Sequence, residues 1–426
     1  MPSTASASYT SELAEALAPD VLDRLLRYVR IDTGSDRAQA RSPSTPGQLE
    51  LGRLLLEELL ALGLGDAAQD ANGFVTATLE GNAPGAPAIG LLAHLDTSPD
   101  APGAGVEPLV HRAYDGGLIE LPRLGTVLDP ARMPELSAKV GHDIVTTSGD
   151  TLLGADDKAG MAEVMAAVAH LAAHPELPRP TLRVGFTPDE EIGAGAHLFD
   201  IERFGAHCAY TFDGSEAGEF TDETFTAASA ELTIHGVDVH PGYATGKLVN
   251  AARLAGRVLA ALPQDRLTPE STADREGFIH VSEVAGTPGR ATIRTIVRDF
   301  DDDRLAEHLA LLRRTAEEVV ATAPHARLEV DVRAQYPNMR RYLDQRPEVS
   351  AAAEEALRRE GYEPRRMPAR GGTDGSILSA RGLPTPNLFT GGHEYHSVRE
   401  WASVQDMASA AAVAVRLAGV WAERTG

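Results

Sequence analysis

The stretch AIGLLAHLD, residues 88–96, decides how the rest of the chain is read. Residues 88–95 are almost continuously apolar, the pattern of a strand covered on both faces. The run ends on His94 and Asp96, which point to one side of an extended chain because the side-chain period there is two. A carboxylate beside a histidine can orient the ring and raise its basicity as a metal ligand. An ordinary strand-end turn accounts for the pair equally well when it stands alone.

Working outward toward the N-terminus, residues 74–79 alternate as a short strand, and 49–62 form an amphipathic helix with Gly63 at the expected C-terminal cap. Residues 34–47 are a Ser/Pro/Gly loop. Residues 11–30 carry Leu13, Leu17, Val21, Leu25, Leu26 and Val29 at helical spacing, and residues 1–10 are expected to fray. In the other direction, 98–150 is rich in Pro, Gly and Asp and reads as a long irregular excursion. A helix rich in Ala and Met follows at 157–173, then strands at 181–187 and 209–212. Strands alternating with helices predict an α/β layer with a mainly parallel sheet.

The texture changes near residue 218. Strands at 227–235, 278–284, 292–300 and 328–334 and helices at 248–262 and 303–321 give the order β-α-β-β-α-β, that of a ferredoxin-like α+β sandwich. The remainder has a helix at 348–360, a Gly-rich stretch at 370–375, a short strand near Leu388 and a helix at 404–422. It is too small for a core of its own and is expected to rejoin the first domain. The expected division is therefore 1–217 plus 336–426 for one discontinuous domain and 218–335 for an inserted one.

Composition excludes several classes. The 426 residues suit two or three domains, and 43% hydrophobic with 24% charged residues is the globular norm. With 39 Lys+Arg against 62 Asp+Glu the net charge is −23, which repels phosphate backbones, so neither nucleic acid nor an anionic membrane is expected as a partner. The lone cysteine, Cys208, excludes an internal disulfide and any Cys-rich zinc site. No stretch approaches the length of a membrane span, and MPSTASASYT lacks the marks of a signal peptide, so a soluble, cytoplasmic protein is expected.

Four further segments place acids and histidines where apolar strands end. GADDKAG (154–160) opens a helix on Asp156 and Asp157, acids that also serve as ordinary caps. FTPDEEIG (186–193) carries Asp189, Glu190 and Glu191, which a solvated loop would explain. In YTFDG (210–214), Asp213 before glycine is also a common turn. GGHEYHS (391–397) holds His393 and His396, either of which could be a surface residue or a ligand.

Together the segments say more. In an open parallel sheet, ligands bind beyond the carboxyl ends of the strands, so His94, Asp96, Glu190, Glu191 and Asp213 are expected to converge. Histidine and carboxylate donors without cysteine favour zinc, manganese or cobalt. Packed together without cations, these acids would repel one another strongly. Three carboxylates (Asp156, Glu191 and Asp213) would leave two divalent cations one net positive charge, enough to stabilise a bridging hydroxide.

The motifs AHLDTSPD (93–100), LLGADDKAGMAEVM (152–165), FTPDEEIG (186–193), YTFDG (210–214), VHPGYATGKLVN (239–250), RDF (298–300), ARGGTDGSILSARGLPTPNLFTGG (369–392) and YHS (395–397) resemble, in this order, the M20 metallopeptidase family and within it the tripeptide aminopeptidases. The resemblance implies a mainly parallel-sheet zinc-peptidase domain with an inserted lid, and two zinc ions that Co²⁺ or Mn²⁺ can replace. His94 and Asp213 would hold one ion, Glu191 and His396 the other, and Asp156 both, with His393 the alternative to His396. Asp96 would orient His94, and Glu190 would be the general base. His240 would meet the substrate carbonyl or oxyanion, and Arg298 and Arg370 would bind substrate. The expected substrate is a small peptide and the expected assembly a homodimer. Other hydrolases on the same scaffold, such as N-acyl amino acid deacylases or dipeptidases, and a non-catalytic peptide binder are the alternatives.

Overall fold

The computed structural model describes residues 9–424, so residues 1–8, within the stretch expected to fray, lie outside it. Thr10 is tied down, its hydroxyl donating to Glu360 Oε1 at 2.8 Å. The chain forms two compact units, one of Glu223–Arg340 with Pro368–Gly372 and one of the remaining residues. The first boundary falls later than the sequence division because Glu219–Thr221 is a strand of the main sheet, paired with Asn387–Phe389 and Arg365–Arg366.

The main sheet of the larger unit has eight strands. Its centre is Leu182–Thr187, Ile89–His94, Cys208–Gly214 and Asn387–Phe389, side by side and parallel. Short strands flank it, with antiparallel pairing where Val75–Leu79 meets Leu182–Thr187 and where Glu219–Thr221 meets Asn387–Phe389. Ile89–His94 is buried at every residue, as an apolar run between two parallel neighbours requires. In register, His94 lies opposite Thr187 and Leu92 opposite Thr211. The carboxyl ends of three adjacent strands therefore reach one level.

Helices Glu12–Tyr28, Ala155–Ala173 and Val404–Ala422 pack on one another, and Ala155–Ala173 packs on strands Ile89–His94 and Cys208–Gly214. Small residues permit this closeness. A Cβ on Gly160 would stand 2.0 Å from the carbonyl oxygen of Phe212. Gly90 similarly leaves room for the ring of Phe204, 2.7 Å from where its Cβ would be.

Residues 98–150 are more ordered than their composition predicts. Leu109–His111 and Ile144–Thr146 join Trp401–Ser403 and Gly392–His393 in a four-stranded antiparallel sheet. Ile119–Glu120 pairs with Val127–Leu128, over a small core that includes Tyr114, Leu121, Leu136 and Trp401. Strands of two or three residues show no periodicity, and half of this sheet comes from the far end of the chain.

The smaller unit has the expected element order. Its sheet runs Phe278–Gly286, Arg290–Asp299, Thr226–His235, Arg327–Tyr336, antiparallel throughout. That is the ferredoxin-like arrangement, with helices Ala251–Ala261 and Asp302–Ala321 packed on it around Leu232, Ile234, Val258, Ile293, Val297 and Leu312. No helix among the described residues is long and apolar enough to cross a membrane.

Candidate metal centre

Within the larger unit, the strand ends and the segments beside them bring together seven of the ten residues to which the resemblance gives roles, His393 apart. His94 closes its strand, Asp213 stands at the end of the neighbouring strand, and Glu190 and Glu191 follow the strand on the other side. Asp156 arrives at the start of helix Ala155–Ala173, and His396 on the loop between Gly392–His393 and Trp401–Ser403. One donor atom each from His94, Asp156 and Asp213 lies within 4.8 Å of the others, and so do donors from Asp156, Glu191 and His396. Asp156 is common to both groups. Its Oδ1 is 2.9 Å from His94 Nε2 and its Oδ2 is 3.3 Å from His396 Nε2.

Backbone conformations specific to the site hold these groups. Asp156 and Asp157 have non-helical angles inside the first turn, and the peptide between them is cis. His396 is left-handed at φ 59°, and so is Asp189 at φ 57°. Such angles are uncommon outside glycine and persist where surrounding contacts impose them. At Asp189 those contacts are visible. Its carboxylate accepts from Ser42 Oγ (2.7 Å), the Ser44 N–H (2.9 Å) and Gln48 Nε2 (2.7 Å). The next two residues, Glu190 and Glu191, are thereby fixed at the strand end.

Asp96 meets both the His94 ring and the neighbouring loop. His94 Nδ1 bonds the carbonyl oxygen of Asp96 at 3.0 Å, while the nearer carboxylate oxygen stands 3.5 Å away. The carboxylate instead accepts the N–H groups of Glu190 (2.9 Å) and Glu191 (3.1 Å). The chain bends after His94, so the Asp96 carboxylate reaches the neighbouring loop while staying beside the ring.

The electrostatics match a cation site. Burial opposes charge on His94, yet the carboxylates of Asp156, Asp213 and Asp96 close to its ring hold its pKa well above the ordinary value. His396 is pushed up to about 10 by Asp156 and Glu191. Burial and the charge of Asp156 push Glu191 up to about 7, and burial raises Asp213. Glu190 is raised well above the usual carboxylate range by burial and by the charge of Asp213. Asp156 moves the other way, held low by the two imidazoles against its burial. Buried acids this close together repel one another, and a positive charge among them would relieve that. Glu191 Oε1 is also buried without a hydrogen bond, although His396 Nε2 lies only 3.0 Å from it. Two imidazoles and three carboxylates, with no thiol, fit zinc, cobalt or manganese.

Other residues at the site were not assigned roles from sequence. Buried Asp374 is pushed up to about 7 by its burial and sits among Thr187, Asp96 and Asp213. The signal for it in the sequence is its place in the Gly-rich stretch 370–375, inside the motif at 369–392. Glu400 accepts backbone N–H groups beside Asp156, and no local pattern announces that. His393 stands apart, stacked on Trp401 at 4.2 Å and 3.3 Å from Ser215 Oγ.

His240, Arg298 and Arg370 belong to the smaller unit. His240 is exposed, and its Nδ1 accepts the Gly242 N–H at 3.1 Å, so Nε2 carries the proton of the neutral ring. Arg298 bonds Gln335 Oε1 at 2.6 Å and lies 5.1 Å from the ring of Tyr336. Arg370 donates to the carbonyls of Thr272, Asp274 and Glu276 and lies over Phe225 and Phe278.

Residues 152–419 match the peptidase family M20/M25/M40. The Peptidase T of Shouchella clausii is 46% identical over 95% of this chain and 99% of its own. Among solved structures, the aminopeptidase PepT of Bacillus cereus superposes with a TM-score of 0.74 at 22% identity, over 95% of this chain and 99% of that one. A tripeptidase of Staphylococcus aureus gives 0.75 at 20% identity, over 96% and 99%.

Proposed function

The chain belongs to peptidase family M20/M25/M40, and from that premise we propose a two-metal aminopeptidase that releases the N-terminal residue of tripeptides. The protein is a metallo-exopeptidase, a hydrolase of the kind its relatives named Peptidase T represent. One observation carries the two-metal reading: two donor triads share a single carboxylate, Asp156.

His94 and Asp213 would hold one ion, Glu191 and His396 the other, and Asp156 both. Bound zinc, or cobalt or manganese in its place, would supply Lewis acidity and lower the pKa of a water at the site. Glu190 is the base. It accepts the proton of the attacking water and returns it to the leaving amine; burial and the charge of Asp213 raise its pKa above the ordinary carboxylate range. Asp96 fixes the backbone of Glu190 and Glu191 and, through its carbonyl, the ring of His94. His240, exposed and with its proton on Nε2, is the proposed donor to the substrate carbonyl or oxyanion in a unit acting as a lid. Arg298 and Arg370 are the proposed cationic substrate contacts. Arg298 suits a carboxylate better, since Arg370 already commits its donors to three carbonyls. A cytoplasmic homodimer completes the proposal, and sedimentation would read its assembly.

The test is a kinetic comparison of di-, tri- and tetrapeptides and N-acyl amino acids, with and without a chelator. Tripeptide cleavage from the N-terminus, abolished by the chelator and restored by zinc, is expected. Hydrolysis of N-acyl amino acids without tripeptide cleavage would overturn the substrate reading in favour of a deacylase.

A further inference from the structure

One buried carboxylate outside the two donor triads is directed at the segment that carries their shared ligand. Glu400 is 1% exposed. Its Oε2 accepts the N–H groups of Leu153 (2.8 Å) and Gly154 (2.7 Å), and its Oε1 accepts that of Asp156 (3.0 Å). These donors stand at the start of helix Ala155–Ala173, where the helix itself offers them no acceptor. Because Asp156 and Asp157 are non-helical, helix geometry alone does not say where the Asp156 carboxylate goes. Gly154, left-handed at φ 78°, turns the chain into this segment. Glu400 lies four residues after His396, and its own N–H bonds Ser397 O at 3.2 Å. A single short segment thus supplies an imidazole to one triad and clasps the backbone of the carboxylate that both triads share.

We infer that Glu400 is a positioning residue: it holds the 153–156 backbone so that Asp156 straddles His94 and His396 and can ligate both ions at once. The inference rests on the two-metal reading. Among the described residues the Glu400 carboxylate makes no hydrogen bond to a donor side chain of either triad. Its action passes through three main-chain N–H groups, and its loss should appear first in how tightly the ions are held.

The experiment uses the full chain, stripped and reloaded with Co²⁺, in parent and Glu400→Gln forms. Gln keeps one acceptor oxygen and turns an amide toward the other N–H groups. Glu400→Asp, which keeps the charge but withdraws it by one methylene, is the second variant. Each is read by Co²⁺ affinity in chelator competition, by the Co²⁺ absorption spectrum and by the melting temperature of the stripped protein. The expected result is weaker binding of at least one ion, by roughly 10–100-fold as for other groups that orient ligands. An altered Co²⁺ spectrum and little change in the stripped protein's melting should accompany it. Parent-like affinity and spectrum in a folded variant would overturn the inference. Loss of the fold in both variants would also overturn it, since the carboxylate would then hold the domain and not the ligand. A parent that binds fewer than two Co²⁺ would refute the two-metal reading itself, a distinct outcome.

Discussion

At the scale of single residues, the site separates holding ions from moving protons. Glu190 belongs to neither donor triad, while Glu191 beside it belongs to one. Glu190→Gln should therefore leave metal content at the parent level and lower turnover by roughly 10²–10⁴-fold, the usual contribution of a positioned base. Metal analysis and steady-state rates on one preparation check this, and near-parent turnover would remove Glu190 from the role. Cys208 offers a test away from the chemistry. It is fully buried in the central sheet, and burial pushes its thiol up to about 12. A thiol reagent should react with it slowly in the native protein and fully in denaturant. Fast native labelling would contradict the position of its strand.

At the scale of elements, the site depends on how closely helix Ala155–Ala173 approaches strand Cys208–Gly214. Gly160→Ala would drive a methyl group into the Phe212 carbonyl oxygen, 2.0 Å away, with Asp157 Oδ1 at 2.3 Å. The Phe212 oxygen is main chain and the Asp157 carboxylate is held by the N–H groups of His94 and Gly160, so the variant should lose about 1–3 kcal/mol in urea unfolding. Unchanged stability would mean that the helix sits further from the sheet. The elements also show what a sequence can reveal. Ile89–His94 was legible because burial on both faces demands an unbroken apolar run, and the ferredoxin-like unit because its alternating strands and amphipathic helices are long. The small sheet joining residues 109–146 to 392–403 was not legible, since its strands are too short for a period and pair across most of the chain. Five ligand candidates could be read from acids and histidines at strand ends, at a helix start and in a Gly-led loop. Glu400 could not, because its partners are main-chain N–H groups more than 240 residues away in sequence.

At the scale of the whole molecule, the cluster couples stability to pH and metal. Without cations, Glu191 and Asp374 are pushed up to about 7 and His396 up to about 10, so the folded state binds protons more tightly than the unfolded chain. That contribution to stability falls as pH rises from roughly 4.5, the ordinary carboxylate range, through 7 and toward 10. Asp156, held low by the imidazoles, has the opposite sign but acts only below about pH 4. Stripped protein should therefore melt higher at pH 5.5 than at pH 8.5. Metal competes with protons for the same atoms, so the gain in melting temperature on loading zinc should be larger at pH 8.5. Equal gains at both pH values would mean that the ions bind elsewhere.

The most direct test of the central claim is metal stoichiometry. Stripped protein titrated with zinc, and counted by calorimetry and elemental analysis, should bind two ions per chain, and Asp156→Ala should lower the affinity for both. A parent that binds no zinc, or an Asp156→Ala variant that still binds two as tightly, would contradict the shared-carboxylate centre.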